Sequence, residues 1–225
     1  MKIEVLPDAV ARQAAVWLAA EAREAVTARG QFSLAVSGGQ TPWQMLRALA
    51  KEDVPWPHVH IFQIDERLAP EGDADRNLTH LRESLLAAAL PPGQLHAMPV
   101  NEADPEAAAR RYAEVLRAVT GDPAVLDVAH LGLGTDGHTA SLVPDDPVLH
   151  VTRQDIALTG LYQGRLRMTM TYPLLNRARA ILWLVTGSGK QEMLRRLRDG
   201  DATIPAGRIV TAQALVLADQ AAVKE

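Results

Sequence analysis

The stretch "VLDVAHLGLGTDGHTASLVP", residues 125–144, decides the fold. Its first half is a short apolar run of the kind that forms a strand buried on both faces. That run passes straight into Gly132, Gly134 and Gly137. The plan recurs at "ARAILWLVTGSGK" (178–190) and, in shorter form, at "QFSLAVSGGQTP" (31–42). A buried strand that ends in a glycine turn is the repeating unit of a parallel α/β sheet when helices separate the copies.

Helices do separate them. "DAVARQAAVWLAAEAREAVTARG" (8–30) reads as a helix capped by Asp8 and ended by Gly30. A second helix has Pro42 at its first position, where a missing N–H costs nothing, and Thr41 at its cap. "NLTHLRESLLAAAL" is helical up to Pro91-Pro92, and residues 104–121 carry clear start and stop signals. "QEMLRRLRDG" follows the glycines of 187–189 as a further helix. "HVHIFQID" (58–65) and "AQALVLAD" read as strands. The expectation is a single domain over residues 1–225: an α/β, Rossmann-like three-layer sandwich with a mainly parallel central sheet. In such sheets ligands sit beyond the carboxyl ends of the strands. There the chain places "SGGQTP", "DER", "GLGTDGH" and "TGSGK".

Composition narrows the function. The 225 residues include no cysteine, which excludes disulfides, thiolate catalysis and thiolate metal sites. A formal net charge of −4 argues against a general nucleic-acid binder. No run of apolar residues is long enough for a membrane span, and no long apolar stretch follows Lys2 as a secretory signal would require. A soluble cytoplasmic protein is expected; composition says nothing of its oligomeric state.

Gly132, Gly134 and Gly137 have the G-x-G-x-x-G spacing of a dinucleotide fingerprint. That fingerprint opens a helix, and here Pro144 and Pro147 leave room for one or two turns at most. Asp155 lies at about the distance of a ribose-binding acid, but the motif sits mid-chain, and NAD is disfavoured. "TGSGKQ" resembles the tail of a nucleotide-binding P-loop. Leu184 stands where that motif needs glycine, however, and Gln191 where it needs Ser or Thr for magnesium. A single phosphate met by Lys190 and backbone N–H groups remains open. "DADRNL" (73–78) starts like a calcium loop, but Leu78 replaces the required glycine and Ser84 the bidentate acid. His58 and His60 share a strand face without a third ligand, which favours ordinary polar contacts over zinc.

The glycines therefore suit another end: they let backbone N–H groups approach an oxygen-rich or anionic ligand. His138, two residues after Asp136, is the side chain whose ordinary pKa suits proton transfer near neutrality, and it reads as a catalytic base.

Taken together and in order, "LAVSGGQTP", "FQIDERLAP" with "DRNL", "HLGLGTDGHTASLVP", "RMTMTYPLLN" and "LVTGSGKQEML" resemble the 6-phosphogluconolactonase family in its bacterial short form. The resemblance spans roughly residues 5 to 222. It implies a fold related to glucosamine-6-phosphate deaminase and ribose-5-phosphate isomerase. It also implies an activity: hydrolysis of 6-phospho-D-glucono-1,5-lactone to 6-phospho-D-gluconate, the second step of the oxidative pentose phosphate pathway. That reaction needs neither a metal nor a cofactor, and the implied partner is a small sugar phosphate lactone. The related deaminase pattern has "DEY" and "DGHIAFNEP", whereas this chain has Arg67 in "DER" and "SLVP" without the second acid. Two alternatives stay open beside the lactonase: an amino-sugar-phosphate deaminase or isomerase using Asp65, and a non-enzymatic sugar-phosphate sensor. The sensor is disfavoured because only about thirty residues precede the first loop-bearing strand, too few for a DNA-binding module.

With the resemblance, the roles fall out as follows. His138 activates water, and Asp136 either orients it or caps the turn. Gly38, Gly39 and Gly134 offer N–H groups to sugar or carbonyl oxygens. Arg67, Arg167 and Lys190 form a cationic patch for phosphate or oxyanion, since a guanidinium forks onto such groups. Family members often show Pro-Pro before the arginine aligned with Arg167; "YQGRLRMT" lacks it, so Arg165 competes for that role. Ser37 and Thr41 offer hydroxyls, Asp65 and Glu66 anchor Arg67 or meet sugar hydroxyls, and Asn77 braces the loop.

Overall fold

The computed structural model describes residues 1–210 and 212–224. In chain order its elements are β1 (Lys2–Leu6), α1 (Val10–Arg29), β2 (Phe32–Val36), α2 (Gln40–Leu49), β3 (Val59–Gln63), β4 (Asp65–Arg67), α3 (Asn77–Ser84) and β5 (Leu95–His96). There follow α4 (Pro105–Thr120), β6 (Val128–Gly132), β7 (Ile156–Leu158), β8 (Arg167–Met170), α5 (Tyr172–Leu175), β9 (Ala180–Val185), α6 (Gln191–Arg198), β10 (Ala214–Asp219) and α7 (Gln220–Val223).

Seven strands form one sheet in the order β1-β10-β9-β6-β2-β3-β5, and every neighbouring pair is parallel. Strand alternation divides the core into two apolar layers. Phe32, Leu34 and Val36 of β2 face α1 and α2, as do Leu182 and Leu184 of β9. Ala35, Ala129, Leu131 and Trp183 face the opposite layer with α4 and α6. This is the expected sandwich. The chain order reverses between β2, which leads outward to β3 and β5, and β6, which leads outward to β9, β10 and β1. That reversal opens a crevice at the carboxyl ends of β2 and β6. Ser37–Gly39 and Gly132–Gly134 lie at those ends.

α1 shows why local sequence sufficed in places. Ala14, Ala15, Leu18, Ala19, Ala22 and Ala25 form one buried stripe, small enough for the helix to sit close on the sheet. Gly30 ends it at a left-handed φ of 80°, its N–H closing on the Val26 carbonyl. Asp104 caps α4 by accepting from the Ala107 N–H, with Pro105 at the first position.

Other boundaries differ from expectation. α1 begins at Val10 behind Ala9, with no side-chain cap, so Asp8 does not cap it. α2 begins at Gln40 behind Gly39, and the Thr41 hydroxyl instead meets that of Thr186 at 3.1 Å. α3 stops at Ser84, well short of the prolines. The run 58–65 is two strands: β3 belongs to the main sheet, and after Ile64 the chain enters β4 of a second, antiparallel sheet in the order β4-β8-β7. Met170 N–H donates to the Ile64 carbonyl and Ile64 N–H to that of Val36, so this one residue ties the two sheets. His58 sits in a short 3-10 turn before β3, not on the strand with His60. His60 instead pairs with His96 of β5 through ring nitrogens 3.0 Å apart, the ring planes 20° from parallel. No helix among the described residues is long and apolar enough to cross a membrane.

His130 of β6 is wholly buried and neither ring nitrogen has a partner among the described residues. Burial drives its pKa down to about 3, from an ordinary 6.5. The unfolded chain therefore takes up a proton as pH falls below 6.5 while the folded chain does not, and stability that is fully present above that pH drains away beneath it. At pH 5 this amounts to about 2 kcal/mol. His130→Leu, which keeps the bulk and removes the orphaned nitrogens, is expected to cut the loss of urea stability between pH 8 and pH 5 by about that amount. Equal losses in the two proteins would show that this histidine is not the source.

Candidate active site

The second sheet brings charge to the crevice. In β4 and β8, Asp65, Glu66 and Arg67 lie opposite Thr169, Met168 and Arg167. Two arginines thus face each other directly across an antiparallel pair, an arrangement that is destabilising unless something offsets it. Arg167 is 5% exposed, and burial together with the charge of Arg67 holds its pKa below the ordinary value. Its guanidinium reaches the Gln163 carboxamide oxygen at 3.0 Å and the Ser141 hydroxyl at 3.5 Å, while its Nε has no partner among the described residues. Ser141 in turn donates to Asp65 Oδ2 at 2.8 Å.

Glu66 has a different task from the one expected. It is fully buried, and its carboxylate accepts from Gln63 Nε2, the Arg67 N–H, and the Asn77 and Leu78 N–H groups, all at 2.8–2.9 Å. Arg76 Nε lies 3.0 Å away as its ion partner. The Asn77 and Leu78 groups are the first orphan donors of α3, so Glu66 caps that helix from another element. With every lone pair directed inward, it cannot meet a sugar hydroxyl. Asn77, fixed by this cap, accepts from Arg67 at 2.5 Å and donates to the Asp65 carbonyl at 2.9 Å, bracing the loop as expected.

The glycine turn supplies a titratable pair. Asp136 Oδ1 accepts from His138 Nδ1 at 2.5 Å and from the His138 backbone N–H at 3.1 Å, so it both orients the ring and closes the turn. Burial resists ionisation of Asp136, but the His138 N–H and the imidazole outweigh it and hold the carboxyl below its usual range. With Nδ1 engaged, Nε2 is the nitrogen left for chemistry. Gly134 is required here by space: a Cβ would collide with the His138 ring and Asp136. Its N–H donates to the His138 carbonyl at 2.8 Å, so it brings the backbone close without offering a donor. Gly38 is crowded in the same way by the Asn77 carboxamide. Among the described residues the Gly38 and Gly39 N–H groups meet no acceptor, and α2 starts immediately behind them.

These parts meet in one cavity of about 340 Å³. Ser37, Gly38, Gly39, Asp65, Arg67, Asn77, Gly134, His138, Arg167 and Lys190 all line it. The Ser37 hydroxyl is buried there without a partner among the described residues. Burial lowers the pKa of Lys190, and the Asp136 charge partly offsets this. Glu66 and Thr41 lie outside the lining, Glu66 because its carboxylate is spent and Thr41 because it ties α2 to Thr186. Arg165 is outside this lining: it pairs with Asp73 and Asp75 at 3.1 and 3.2 Å and lines an adjoining cavity together with Arg67 and Arg167. Tyr162, Gln163 and Ser141 were not anticipated. "LYQGRL" does carry a signal for the first two, because Gln163-Gly164 between two strand-like stretches reads as a two-residue hairpin turn.

A family model described as glucosamine-6-phosphate isomerases/6-phosphogluconolactonase matches residues 6–217. A 6-phosphogluconolactonase of Synechocystis sp. is 40% identical over 176 residues, covering 76% of this chain and 73% of the relative. The crystal structure of 6-phosphogluconolactonase from Thermotoga maritima superposes with a TM-score of 0.87 at 25% identity, covering 97% of this chain and 98% of that one. A monomeric glucosamine-6-phosphate deaminase shares the fold with a TM-score of 0.86 at 20% identity, covering 99% of this chain and 98% of its own.

Glu66→Gln replaces an acceptor with a donor and strands the buried Arg76 charge. It is expected to lower unfolding stability by about 3 kcal/mol, read from the urea midpoint. A loss under about 0.5 kcal/mol, the size of an ordinary surface change, would mean the cap and ion pair are not holding α3 to β4.

Proposed function

Because the chain belongs to the glucosamine-6-phosphate isomerase/6-phosphogluconolactonase family, we propose that it hydrolyses 6-phospho-D-glucono-1,5-lactone to 6-phospho-D-gluconate, as a carboxylic ester hydrolase of sugar-phosphate metabolism. The observation that carries this reading is the convergence of His138, Arg67, Arg167 and Lys190 on one cavity whose rim also presents unused backbone N–H groups.

The chemistry follows from the geometry. The substrate phosphate is a dianion, and a local cluster of three cations holds it on a protein whose net charge is −4. The same anion relieves the opposition of Arg67 and Arg167 across β4 and β8. His138 Nε2 takes a proton from water as the water oxygen attacks the lactone carbonyl. Negative charge on the tetrahedral intermediate falls to the Gly38 and Gly39 N–H groups and the buried Ser37 hydroxyl. The ring C–O bond then breaks, and the imidazolium returns the proton to the departing C5 oxygen. Asp136 keeps the imidazole in the tautomer that leaves Nε2 free and stabilises the imidazolium. Every step uses the chain's own groups.

An isomerase or deaminase reading needs a free acid to move the C2 proton. Asp65 Oδ2 accepts from Ser141 and Oδ1 lies 3.4 Å from Asn77 Nδ2, so this carboxylate serves as a brace. We take residues 1–225 as one catalytic domain, since both sheets contribute to the cavity.

The deciding measurement supplies fresh lactone from glucose-6-phosphate dehydrogenase and follows 6-phosphogluconate, with the spontaneous rate subtracted. The wild-type protein is expected to accelerate the reaction and to release no ammonia from glucosamine 6-phosphate. His138→Ala is expected to lose roughly 10²- to 10⁴-fold in kcat while binding product about as well. Gly134→Ala, whose methyl displaces the imidazole, is expected to lose about 10²-fold while remaining folded by circular dichroism. Wild-type turnover in His138→Ala would remove the imidazole from the role of base.

A further inference from the structure

Strands β7 and β8 form a hairpin whose tip is Tyr162–Arg165. Tyr162 N–H donates to the Arg165 carbonyl at 3.0 Å and Arg165 N–H to that of Tyr162 at 3.2 Å. Gln163 and Gly164 between them both have left-handed φ, 52° and 77°. This is the two-residue turn whose twist matches the flanking strands. Arg165 reaches Asp73 and Asp75, fastens the tip to the loop before α3 and lines an adjoining cavity with Arg67 and Arg167. Tyr162 goes inward and lines the cavity.

The Tyr162 ring touches both halves of the site. The Arg167 guanidinium carbon lies 4.8 Å from its centroid, within cation–π range. The His138 ring meets it edge-on, with centroids 5.8 Å and planes 64° apart. Between the nitrogen that activates water and the guanidinium that grips an anion stands one rigid aromatic spacer. Loss of that spacer would leave Arg167 held only by Gln163 and the long contact to Ser141.

We infer that Tyr162 is a positioning residue for the hydrolysis: its ring sets the separation and orientation of His138 relative to Arg167, so that an anchored substrate presents its carbonyl to the activated water. The inference rests on the lactonase reading above. It assigns the ring, which meets both His138 and Arg167, and Tyr162→Phe separates the ring's part from that of the hydroxyl, which faces Asp136. A side chain that only walled the cavity would alter KM and leave kcat alone. A spacer between base and anchor governs kcat.

The test compares Tyr162→Leu, Tyr162→Phe and Arg165→Gln in the coupled lactone assay, with thermal melting as the check on folding. Tyr162→Leu is expected to lose roughly 10- to 100-fold in kcat, the scale on which small misplacements act, with a smaller change in KM. Tyr162→Phe keeps the ring and is expected to regain most of that loss. Arg165→Gln unfastens the hairpin while leaving the ring in place, and is expected to lower kcat by a few-fold and not to abolish it. Wild-type kcat in a folded Tyr162→Leu would overturn the inference, as would a Tyr162→Phe as damaged as Tyr162→Leu. Should Tyr162→Leu melt early, Tyr162→Met takes its place, and wild-type kcat in that variant would overturn the inference. An inactive wild-type protein would defeat the lactonase reading itself, a result distinct from all of these.

Discussion

A single buried carboxylate holds the site together. Glu66 sits where the chain has just left the main sheet for the second one, and it collects N–H donors from β4, from the first turn of α3 and from Gln63, along with the Arg76 charge. An acid so deeply placed is tolerable only when every lone pair is used, as here. Its effect reaches outward through Asn77, which it fixes and which in turn aims Arg67 at the cavity. Without that chain of contacts, nothing would hold a long flexible guanidinium opposite a second one.

The opposition of Arg67 and Arg167 is the counterpart of that stability. Like charges directly across a strand pair cost free energy, and burial of Arg167 adds to the cost. Asp65 and Ser141 temper the repulsion without neutralising it, so the pair is left short of negative charge. In the reaction proposed above, the substrate phosphate supplies it, and the proposed binding draws on an interaction left unrelieved in the resting fold, a form of preorganisation.

The two sheets divide the labour. The parallel sheet presents backbone: its chain order reverses between β2 and β6, and the glycine turns at that point let N–H groups and an imidazole stand close to a ligand. The small antiparallel sheet presents side chains, carrying both arginines and, at its hairpin tip, Tyr162. Ile64 is the joint between them, donating to β2 and accepting from β8. Backbone donors thus sit on the most rigid part of the molecule and the cations on a layer that packs against it.

What the sequence by itself determined was whatever depends on neighbours along the chain. The buried strands, the Ala-rich stripe of α1, its Gly30 end, the Asp104 cap and the His138–Asp136 pair are all short-range, set by side-chain periodicity, backbone freedom and a two-residue spacing. The order of motifs along the chain was also enough to mark which turns share the sheet's carboxyl edge. The fates of Glu66, Gly134 and Thr41 needed the tertiary structure, because each is decided by a partner far off in sequence or by the path the backbone takes. Glu66 caps a helix eleven residues on, the Gly134 N–H is spent inside its own turn, and Thr41 meets Thr186. The choice between Arg165 and Arg167 was likewise invisible locally. Strand alternation puts both on one side, and only the fold shows that Asp73 and Asp75 hold Arg165 in an adjoining cavity while, of the two, Arg167 alone lines the cavity that also holds His138.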